Sequence, residues 1–233
     1  MADTGYISPG TMADDSTVGT ISWSNPNNAK ASDGSYATAE KDGTYLDSPV
    51  DGYAKIVKAD GSIGTTDKAG EDALDSSDTY RIYGGSTEKW GETWSYTDIN
   101  DSDFGFVFAA GFFHAIELDY EYSEYLKATN FGFSIPSGAT IDGIEIGVEQ
   151  QGERWNAGGG GGFPPEPDDW QTKAWVDHIR IKVYYTETSG TNMQINISDT
   201  FKEVPAMKIN IGDTWKDVTA VKQNIGDTWK TVF

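Results

Sequence analysis

The residue types that most often perform catalysis are scarce in this chain or scattered along it. The chain has no cysteine, which excludes disulfides and thiolate metal sites, and only two histidines, His114 and His178. Carboxylate pairs that could act as an acid and a base occur at Asp101 and Asp103 and again in EPDD, residues 166–169. Such pairs are expected by composition in so acidic a sequence. We therefore predict no catalytic residues and no cofactor or metal site.

Two loops contain enough oxygen ligands or glycines to suggest other chemistry. The segments NDSD, residues 100–103, and EPDD could coordinate Ca²⁺, but the ligand spacing of an EF-hand is absent, so solvated acidic loops are favoured. The segment NAGGGGGFPPEPDD, residues 156–169, contains neither GxGxxG nor the frame of a phosphate-binding P-loop. Its glycines and prolines predict a long surface loop.

Aromatic side chains are the remaining candidates for binding. Trp90, Trp94, Trp155 and Trp170, together with the tyrosines of residues 120–125, could form a platform on which sugar rings stack. Buried aromatic residues are equally expected in the core of a β-sandwich. The sequence alone leaves both interpretations open.

Two stretches identify the elements that would position any site. Residues 126–150 are predicted to form a strand, a turn at Pro-Ser-Gly and a second strand, because apolar residues alternate on both sides of the turn. Residues 176–185 alternate in the same way and place His178 beside Arg180 on a polar, solvated face. Further elements are predicted at residues 36–39, 53–58, 79–83 and 104–108 as strands, at Asp60-Gly61 as a hairpin turn, and after Ser95 or Thr97 as one helical turn.

Together these patterns predict an all-β protein whose residues 21–188 form a jelly-roll-like antiparallel β-sandwich. Many short alternating segments joined by Gly, Asp, Asn and Ser are typical of that class, and no long segment has helical periodicity. Residues 1–20 have little apolar content and predict an extended N-terminal arm. Such an arm becomes ordered only when the sandwich or a neighbouring subunit holds it.

The C-terminal segment, residues 189–233, contains three copies of a 14-residue repeat. The copies are MQINISDTFKEVPA, MKINIGDTWKDVTA and VKQNIGDTWKTVF, and each predicts a β-hairpin that turns at Ser-Asp or Gly-Asp. The expected register places an asparagine opposite Phe201, Trp215 and Trp229, and Lys208 opposite Asp217. Because an isolated hairpin is marginal in water, we interpret the repeat as an oligomerisation or docking module and these three aromatic residues as candidate assembly contacts.

The charge of the chain limits its partners. The formal net charge is −20, and residues 189–233 contribute five lysines against five acids, so the excess lies in residues 1–188. Nucleic acids and anionic membranes, which attract basic surfaces, are disfavoured. The aromatic run at residues 104–116 is shorter than the roughly 20 apolar residues that span a bilayer. An acidic surface of this kind suits a protein displayed outward on a particle.

Several phrases of the sequence resemble one family. SWSNPNNAKASDGSYATA (22–39), YGGSTEKWGETWSYTDINDSDFGFVF (83–108), YLKATNFGFSIPSGATIDGIEI (125–146) and VDHIRIKVYYT (176–186) are similar to a β-sandwich module of tailed-bacteriophage structural proteins. The NIGDTWK repeats look like short C-terminal hairpins of phage tail and head appendage proteins. The resemblance spans about residues 10–233 and implies a location on the virion surface and a non-enzymatic role.

The expected function is therefore that of a structural protein of a bacteriophage particle, as a capsid decoration or head-surface subunit. Its partners would be other virion proteins, either major capsid or tail subunits, and further copies of itself. One alternative is a tail fibre or appendage protein that binds a host surface glycan through exposed tryptophans. Another is a secreted glycan-active enzyme, against which the missing acid–base pair and the lack of a signal-peptide pattern both argue.

Overall fold

A computed structural model describes residues 1–43, 45–115, 117–156 and 170–187, together with the backbone of six strand segments between residues 193 and 231. The described part is almost entirely β-structure. The strands are β1 (Ala2–Asp3), β2 (Thr11–Asp15), β3 (Ala37–Gly43), β4 (Val50–Val57), β5 (Thr79–Gly85), β6 (Gly105–His114), β7 (Asp119–Tyr122), β8 (Tyr125–Thr129), β9 (Thr140–Asn156), β10 (Trp170–Thr186), β11 (Met193–Ile197), β12 (Thr200–Val204), β13 (Lys208–Ile211), β14 (Thr214–Asp217), β15 (Lys222–Ile225) and β16 (Thr228–Thr231). A 3-10 turn, Pro26–Ala29, and one helical turn, α1 (Tyr96–Ile99), complete the elements.

Strands β1 to β10 form two antiparallel sheets that pack face to face, which confirms the predicted β-sandwich. Sheet I has the order β1–β10–β9–β5, and β3 pairs with the other end of β10. Sheet II has the order β2–β8–β6–β4, and β7 pairs with the far end of β6. Residues of both sheets contribute to one buried cluster, which is built from alternate positions such as Phe106, Phe108, Ile144, Ile146 and Ile181. The finer description of the connections as a jelly roll stays a prediction.

The stretch 126–150 crosses the sandwich, although the sequence pattern indicates two strands joined by a turn. Its ends are β8 in sheet II and β9 in sheet I. Between them Phe131, Phe133 and Ile135 are buried alternately, as predicted, but they lie outside any strand. Asn100 replaces the missing strand partner, because its side-chain amide donates to the Ile135 carbonyl at 2.9 Å and accepts the Ile135 N–H at 2.7 Å. A crossing segment therefore shows the same burial period as a strand.

The sandwich itself holds the N-terminal arm. β1 pairs with the end of β10, and Ile7 exchanges two backbone hydrogen bonds with Ile181, at 2.8 and 2.9 Å. The chain then crosses to sheet II, where β2 pairs with β8. Residues that lack a core of their own are thus ordered by adding a strand to each sheet.

The local turn predictions agree with the structure. Ser95 caps α1 through a capping box with Asp98. After β4 the chain turns at Asp60-Gly61, where Gly61 adopts a φ of 79° and Lys58 and Ser62 are hydrogen-bonded at 2.8 Å. The positive φ explains the glycine, since other residues rarely adopt it.

The chain divides into two compact units, Met1–Glu187 and Thr188–Phe233. In the second unit the six strands form three separate two-stranded antiparallel sheets. The expected register is present in the backbone: Asn196 is opposite Phe201, Asn210 opposite Trp215, Asn224 opposite Trp229 and Lys208 opposite Asp217. Within the described residues, no helix has both the length and the apolar character needed to cross a bilayer.

Candidate functional site: an aromatic strip on sheet II

The four tryptophans predicted as a platform do not lie together. Trp90 is 1% exposed and its indole N–H donates to the Ile144 carbonyl at 3.1 Å. Trp94 is 9% exposed and donates to the Lys89 carbonyl at 2.9 Å. Both rings pack edge-on against core phenylalanines. As members of the core they cannot offer their faces to a sugar, so this part of the platform hypothesis is wrong.

The other two tryptophans lie near the ends of β9 and β10, on opposite faces of sheet I. Trp155 is half-buried and stacks on Trp175 with ring centroids 6.5 Å apart. Trp170 lies under the guanidinium of Arg154, which is 4.3 Å from the ring centroid. Each ring therefore already has a stacking partner within the chain, and the two do not form one surface.

A different set of rings forms a continuous row on the outer face of sheet II. We call this row the aromatic strip; its members, in spatial order, are Phe113, Tyr120, Tyr122, Tyr53 and Tyr125. Successive ring centroids are 4.9, 5.9, 4.7 and 5.9 Å apart. Tyr125 is 5% exposed and the other four are half-buried. The strip is the largest run of connected ring contacts on an outer face of the described sandwich.

Strand alternation explains why these rings face outward. In β6 the residues Phe106, Phe108 and Phe112 belong to the core, so Phe113 and Gly111 face the opposite side. The β6–β7 register then places Tyr120 opposite Phe113 and Tyr122 opposite Gly111. Cross-strand neighbours of this kind are close enough for their rings to touch.

Two glycines form the floor on which the central rings lie. A Cβ atom on Gly52 would meet the Tyr122 ring at 2.6 Å, and one on Gly111 would meet the rings of Tyr122 and Tyr120 at 3.3 and 3.4 Å. The rings of Tyr122 and Tyr120 therefore pack closely against backbone that carries no side chain.

A buried carboxylate fixes the bulge that contains Gly52. Asp51 is 1% exposed, and the register of β4 shifts between it and Tyr53. Its Oδ1 is 3.1 Å from the Arg81 guanidinium and accepts the Asp72 N–H at 2.7 Å. Oδ2 accepts the Tyr83 hydroxyl at 3.1 Å. Because a buried charge is stable only when paired and hydrogen-bonded, this network holds the strand in the shape the strip requires.

The strip is neutral and its rim is acidic. Burial, together with nearby groups such as Glu71 for Tyr122 and Asp67 for Tyr125, raises the pKa of both phenols to about 12. The phenols thus remain protonated donors at neutral pH. Lys55 lies 4.7 Å from the Tyr53 ring and 3.8 Å from the Asp67 carboxylate.

The outer face of sheet I is covered by the arm. His178 is 9% exposed, with Nε2 2.8 Å from the Ser8 hydroxyl and Nδ1 2.8 Å from the Tyr80 hydroxyl. The prediction of a solvated histidine is therefore wrong, because the arm, which the strand pattern alone does not place, closes over it. Arg180 lies between two rings, 4.0 Å from Tyr6 and 3.6 Å from Tyr80.

One pocket, of about 250 Å³, lies beside the edge of Trp94. Two of its three acids serve local structure: Asp60 accepts hydrogen bonds from Ser62, which lower the pKa of that carboxyl, and Asp98 belongs to the helix cap. The third acid is Glu92. In the predicted calcium segment, the Asp101 carboxylate accepts the Asp103 N–H at 2.9 Å. Among the described residues no group of three or more His, Cys, Asp or Glu could hold a metal ion.

Several predicted residues lie outside the described part. These are the loop 157–169 with its EPDD segment and, beyond their backbone strands, the side chains of Phe201, Trp215 and Trp229. Conversely, sequence reasoning missed Tyr53 and Phe113 as partners of the tyrosines at 120–125. The signal in the sequence is a glycine close to each of them: Gly52 directly precedes Tyr53, and Gly111 lies two positions before Phe113.

Comparison with models of known protein families, with characterised proteins and with solved structures gives no significant match to this chain.

Proposed function

We propose that this protein is a non-enzymatic structural protein of a bacteriophage particle, displayed on the virion surface as a capsid decoration or head-surface subunit. The observation that carries the proposal is the C-terminal repeat. Three related copies of a sequence with a 14-residue period form three hairpins in a single register, and their sequence resembles the short hairpins of phage appendage proteins. Repeated two-stranded units need a surface to dock on, since each alone is marginal.

The sandwich unit suits the same role. Its N-terminal arm pairs with one strand of each sheet. The sandwich unit also contains the whole excess negative charge of the chain, which favours solubility over indiscriminate association. In this proposal the hairpins contact major capsid or tail subunits, or further copies of the chain, while the acidic sandwich faces outward.

Antibody–gold labelling of intact particles tests the location directly. Dense labelling over the head is expected, and labelling confined to the tail tip would contradict the decoration role. Deletion of residues 190–233 tests the docking role, because the shortened chain should no longer be retained on particles or should change its oligomeric state by light scattering. A deletion that alters neither would contradict a docking function for the repeat.

A second candidate is a tail fibre or appendage subunit that binds a host glycan. The aromatic strip motivates it, because four of its five rings are partly exposed on the outer face of sheet II. A glycan-active enzyme is a weaker candidate, because two of the three acids around the pocket, Asp98 and Asp60, are engaged in a helix cap and a turn. Hydrolysis of polysaccharides by the purified chain would revive it.

A further inference from the structure

Strand β5 is the last strand of sheet I, and its side away from β9 has no partner among the described residues. Outside the β9 pairing, no backbone N–H or C=O of residues 79–84 is hydrogen-bonded to another described residue. In an antiparallel pair, every second residue of an edge strand directs its N–H and C=O away from the neighbouring strand. Thr79, Ile82 and Gly84 are exposed. The edge therefore presents unpaired backbone donors and acceptors to solvent.

The edges of β2, β3 and β4 are covered or charged instead. Residues 63–73 hydrogen-bond to the backbone of β4 at several points along its length. In β3, Ser24 exchanges two backbone hydrogen bonds with Thr38, at 2.8 and 3.0 Å, and residues 40–42 are all charged. The short strand β2 contains two aspartates. Covering segments and charged side chains are the devices that keep natural edge strands from pairing with another chain.

Ile82 stands near the middle of the open edge of β5. It is 46% exposed, and the other exposed large apolar side chains of the described residues lie at the N-terminus or in turns. Strand alternation places Ile82 on the same face as Tyr80 and Gly84, so this face of β5 has no charged side chain. A single exposed apolar residue is common on soluble proteins, but this one coincides with unpaired backbone.

We propose that β5 pairs with β5 of a second copy of this chain, antiparallel and about a two-fold axis at Ile82, so that the two copies of sheet I become one continuous sheet. A row of backbone donors and acceptors is best satisfied by another extended strand, so the chemistry of the edge selects the kind of occupant. Antiparallel pairing of two identical strands is self-complementary, because each contact occurs twice about the axis.

The side chains of β5 select this register. A two-fold axis at Ile82 places that residue opposite its own copy, and Tyr80 opposite Gly84 of the second copy, so neither pair brings like charges together. An axis one residue earlier would place two Arg81 side chains opposite each other, which is destabilising. On the inner face, Asp51 already holds Arg81 and Tyr83 with contacts of 3.1 Å each, and pairing leaves these contacts in place.

The charge of the sandwich predicts how this association depends on salt. Residues 1–188 contain the whole excess negative charge, so two copies repel each other, and a single pair of edge strands buries too little surface for a permanent dimer. Salt screens repulsion between exposed charges, so the dimer should become stronger as ionic strength rises. A strand of a basic partner protein is the competing occupant, and its binding to this acidic unit would become weaker with salt.

Disulfide trapping in the full chain tests which residues meet, because the wild-type chain has no cysteine. Opposite residues of antiparallel strands have Cα atoms about 4.5–5.5 Å apart, which a disulfide can bridge. With copper–phenanthroline as the oxidant, Ile82→Cys should form a covalent dimer about tenfold faster than Leu118→Cys, since pairing holds the two thiols together. Leu118 is the matched control because it is 76% exposed in a turn. Equal rates would overturn the proposal.

Sedimentation equilibrium of the full chain measures the association itself, and a monomer–dimer equilibrium that salt strengthens is expected. Ile82→Lys should weaken the dimer about tenfold, because it removes the apolar pair and places two like charges opposite each other. Leu118→Lys changes the net charge equally and should leave the dimer unchanged. A chain that stays monomeric at millimolar concentration overturns the proposal, as does association that Ile82→Lys leaves intact or that salt weakens.

The inference concerns the sandwich unit and does not depend on a phage location or on the C-terminal repeat. Association that deletion of residues 190–233 abolishes and Ile82→Lys leaves intact would assign the interface to the hairpins and overturn the pairing of β5. Trapping at Ile82→Cys on a protein that does not label particles would support the pairing and contradict only the virion location.

Discussion

The two outer faces of the sandwich contain similar residues in opposite states. On sheet I, Tyr6, Tyr80 and Tyr184 surround Arg180 and Lys182, and all three hydroxyls are hydrogen-bonded within the protein. On sheet II, the hydroxyls of the aromatic strip have no such partners among the described residues. The two faces are therefore similar in composition. Only the outer face of sheet I is contacted by the N-terminal arm of the same chain.

The two faces differ because cations lie on the outer face of sheet I and glycines on that of sheet II. Arg180 and Lys182 attract the Tyr6 ring and the Glu145 carboxylate, so the arm finds both cation–π and ionic partners on sheet I. Sheet II instead places Gly52 and Gly111 next to the Tyr122 and Tyr120 rings, and the rings of the strip pack on one another. The comparison shows that the arm supplies a ring partner to the cations of sheet I, whereas the rings on the outer face of sheet II have one another as neighbours.

The largest effect is expected from Asp51→Ala, which removes the buried carboxylate under the strip. It leaves the Arg81 guanidinium without its carboxylate partner, although hydrogen bonds to the Asp72 and Ala73 carbonyls remain. Loss of one member of a buried pair costs about 3–5 kcal/mol. Urea denaturation should show this loss in the free energy of unfolding. The matched control is Asp47→Ala, because its ion pair with Arg154 is exposed and is expected to contribute at most about 1 kcal/mol. Equal effects would contradict a special role for the bulge.

Deletion of residues 1–8 should come next, with a loss of about 2–4 kcal/mol from two buried backbone hydrogen bonds and the packing of Ile7 and Tyr6. Hydrogen exchange should increase in β10 around Ile181 and remain unchanged in β6 and β7. If the shortened chain also lost protection in β6, the arm on sheet I would stabilise sheet II as well, and the two faces would not be held independently.

Gly52→Ala probes the strip itself. The new Cβ would meet the Tyr122 ring at 2.6 Å beside backbone, and overpacking of this kind typically costs about 1–3 kcal/mol. Gly61→Ala, in the open turn after β4, is the control without overpacking, because its Cβ would meet no atom within 4 Å. A neutral Gly52→Ala would show that the ring does not depend on its floor.

The sequence predicts the sandwich because a strand with one buried face has apolar residues at every second position, as in residues 144–148. It failed where that period has another cause: residues 131–135 alternate because they cross the core, with Asn100 as their backbone partner. A local sequence pattern also cannot show which distant segment will cover a strand. His178 stands on the polar side of its strand, yet Ser8, far away in the sequence, buries it.

The candidate site was missed for a related reason. Tyrosines at 120–125 were recognised as a possible platform, but their partners Tyr53 and Phe113 come from two other strands and depend on the β4–β6–β7 pairing. Tryptophan was favoured by its type, and the core took Trp90 and Trp94 because their N–H groups find backbone acceptors there. Residue type identified the chemistry, and register decided which residues provide it.

A smaller effect is expected where the arm joins sheet II. Burial and the hydrogen bond with the Glu124 carboxyl raise the pKa of Asp14 to about 6. The folded protein therefore binds more protons than the unfolded chain between about pH 4 and 6, so stability falls as pH rises through that window. Asp14→Asn should raise the free energy of unfolding by about 1 kcal/mol at pH 7 and leave it unchanged near pH 4. An equal gain at both values would rule out ionisation as the cause.

The smallest effect has the opposite sign, at the junction of the arm with sheet I. Burial lowers the pKa of His178, opposed by the carboxylates of Glu149 and Asp177 and reinforced by Arg180. The unfolded chain then binds more protons below its ordinary pKa of about 6.5, so this contribution is present above that value and is lost as pH falls.

Acidification thus loosens the Ser8–His178 contact while it strengthens the attachment at Asp14. Hydrogen exchange at about pH 5 and pH 7 should show Ile7 less protected, and β2 more protected, at the lower pH, after correction for intrinsic rates. A His178→Gln variant keeps a hydrogen-bonding side chain without a charge and should abolish only the change at Ile7. If both ends of the arm responded with the same sign, the arm would act as one unit and the two faces would not be held independently.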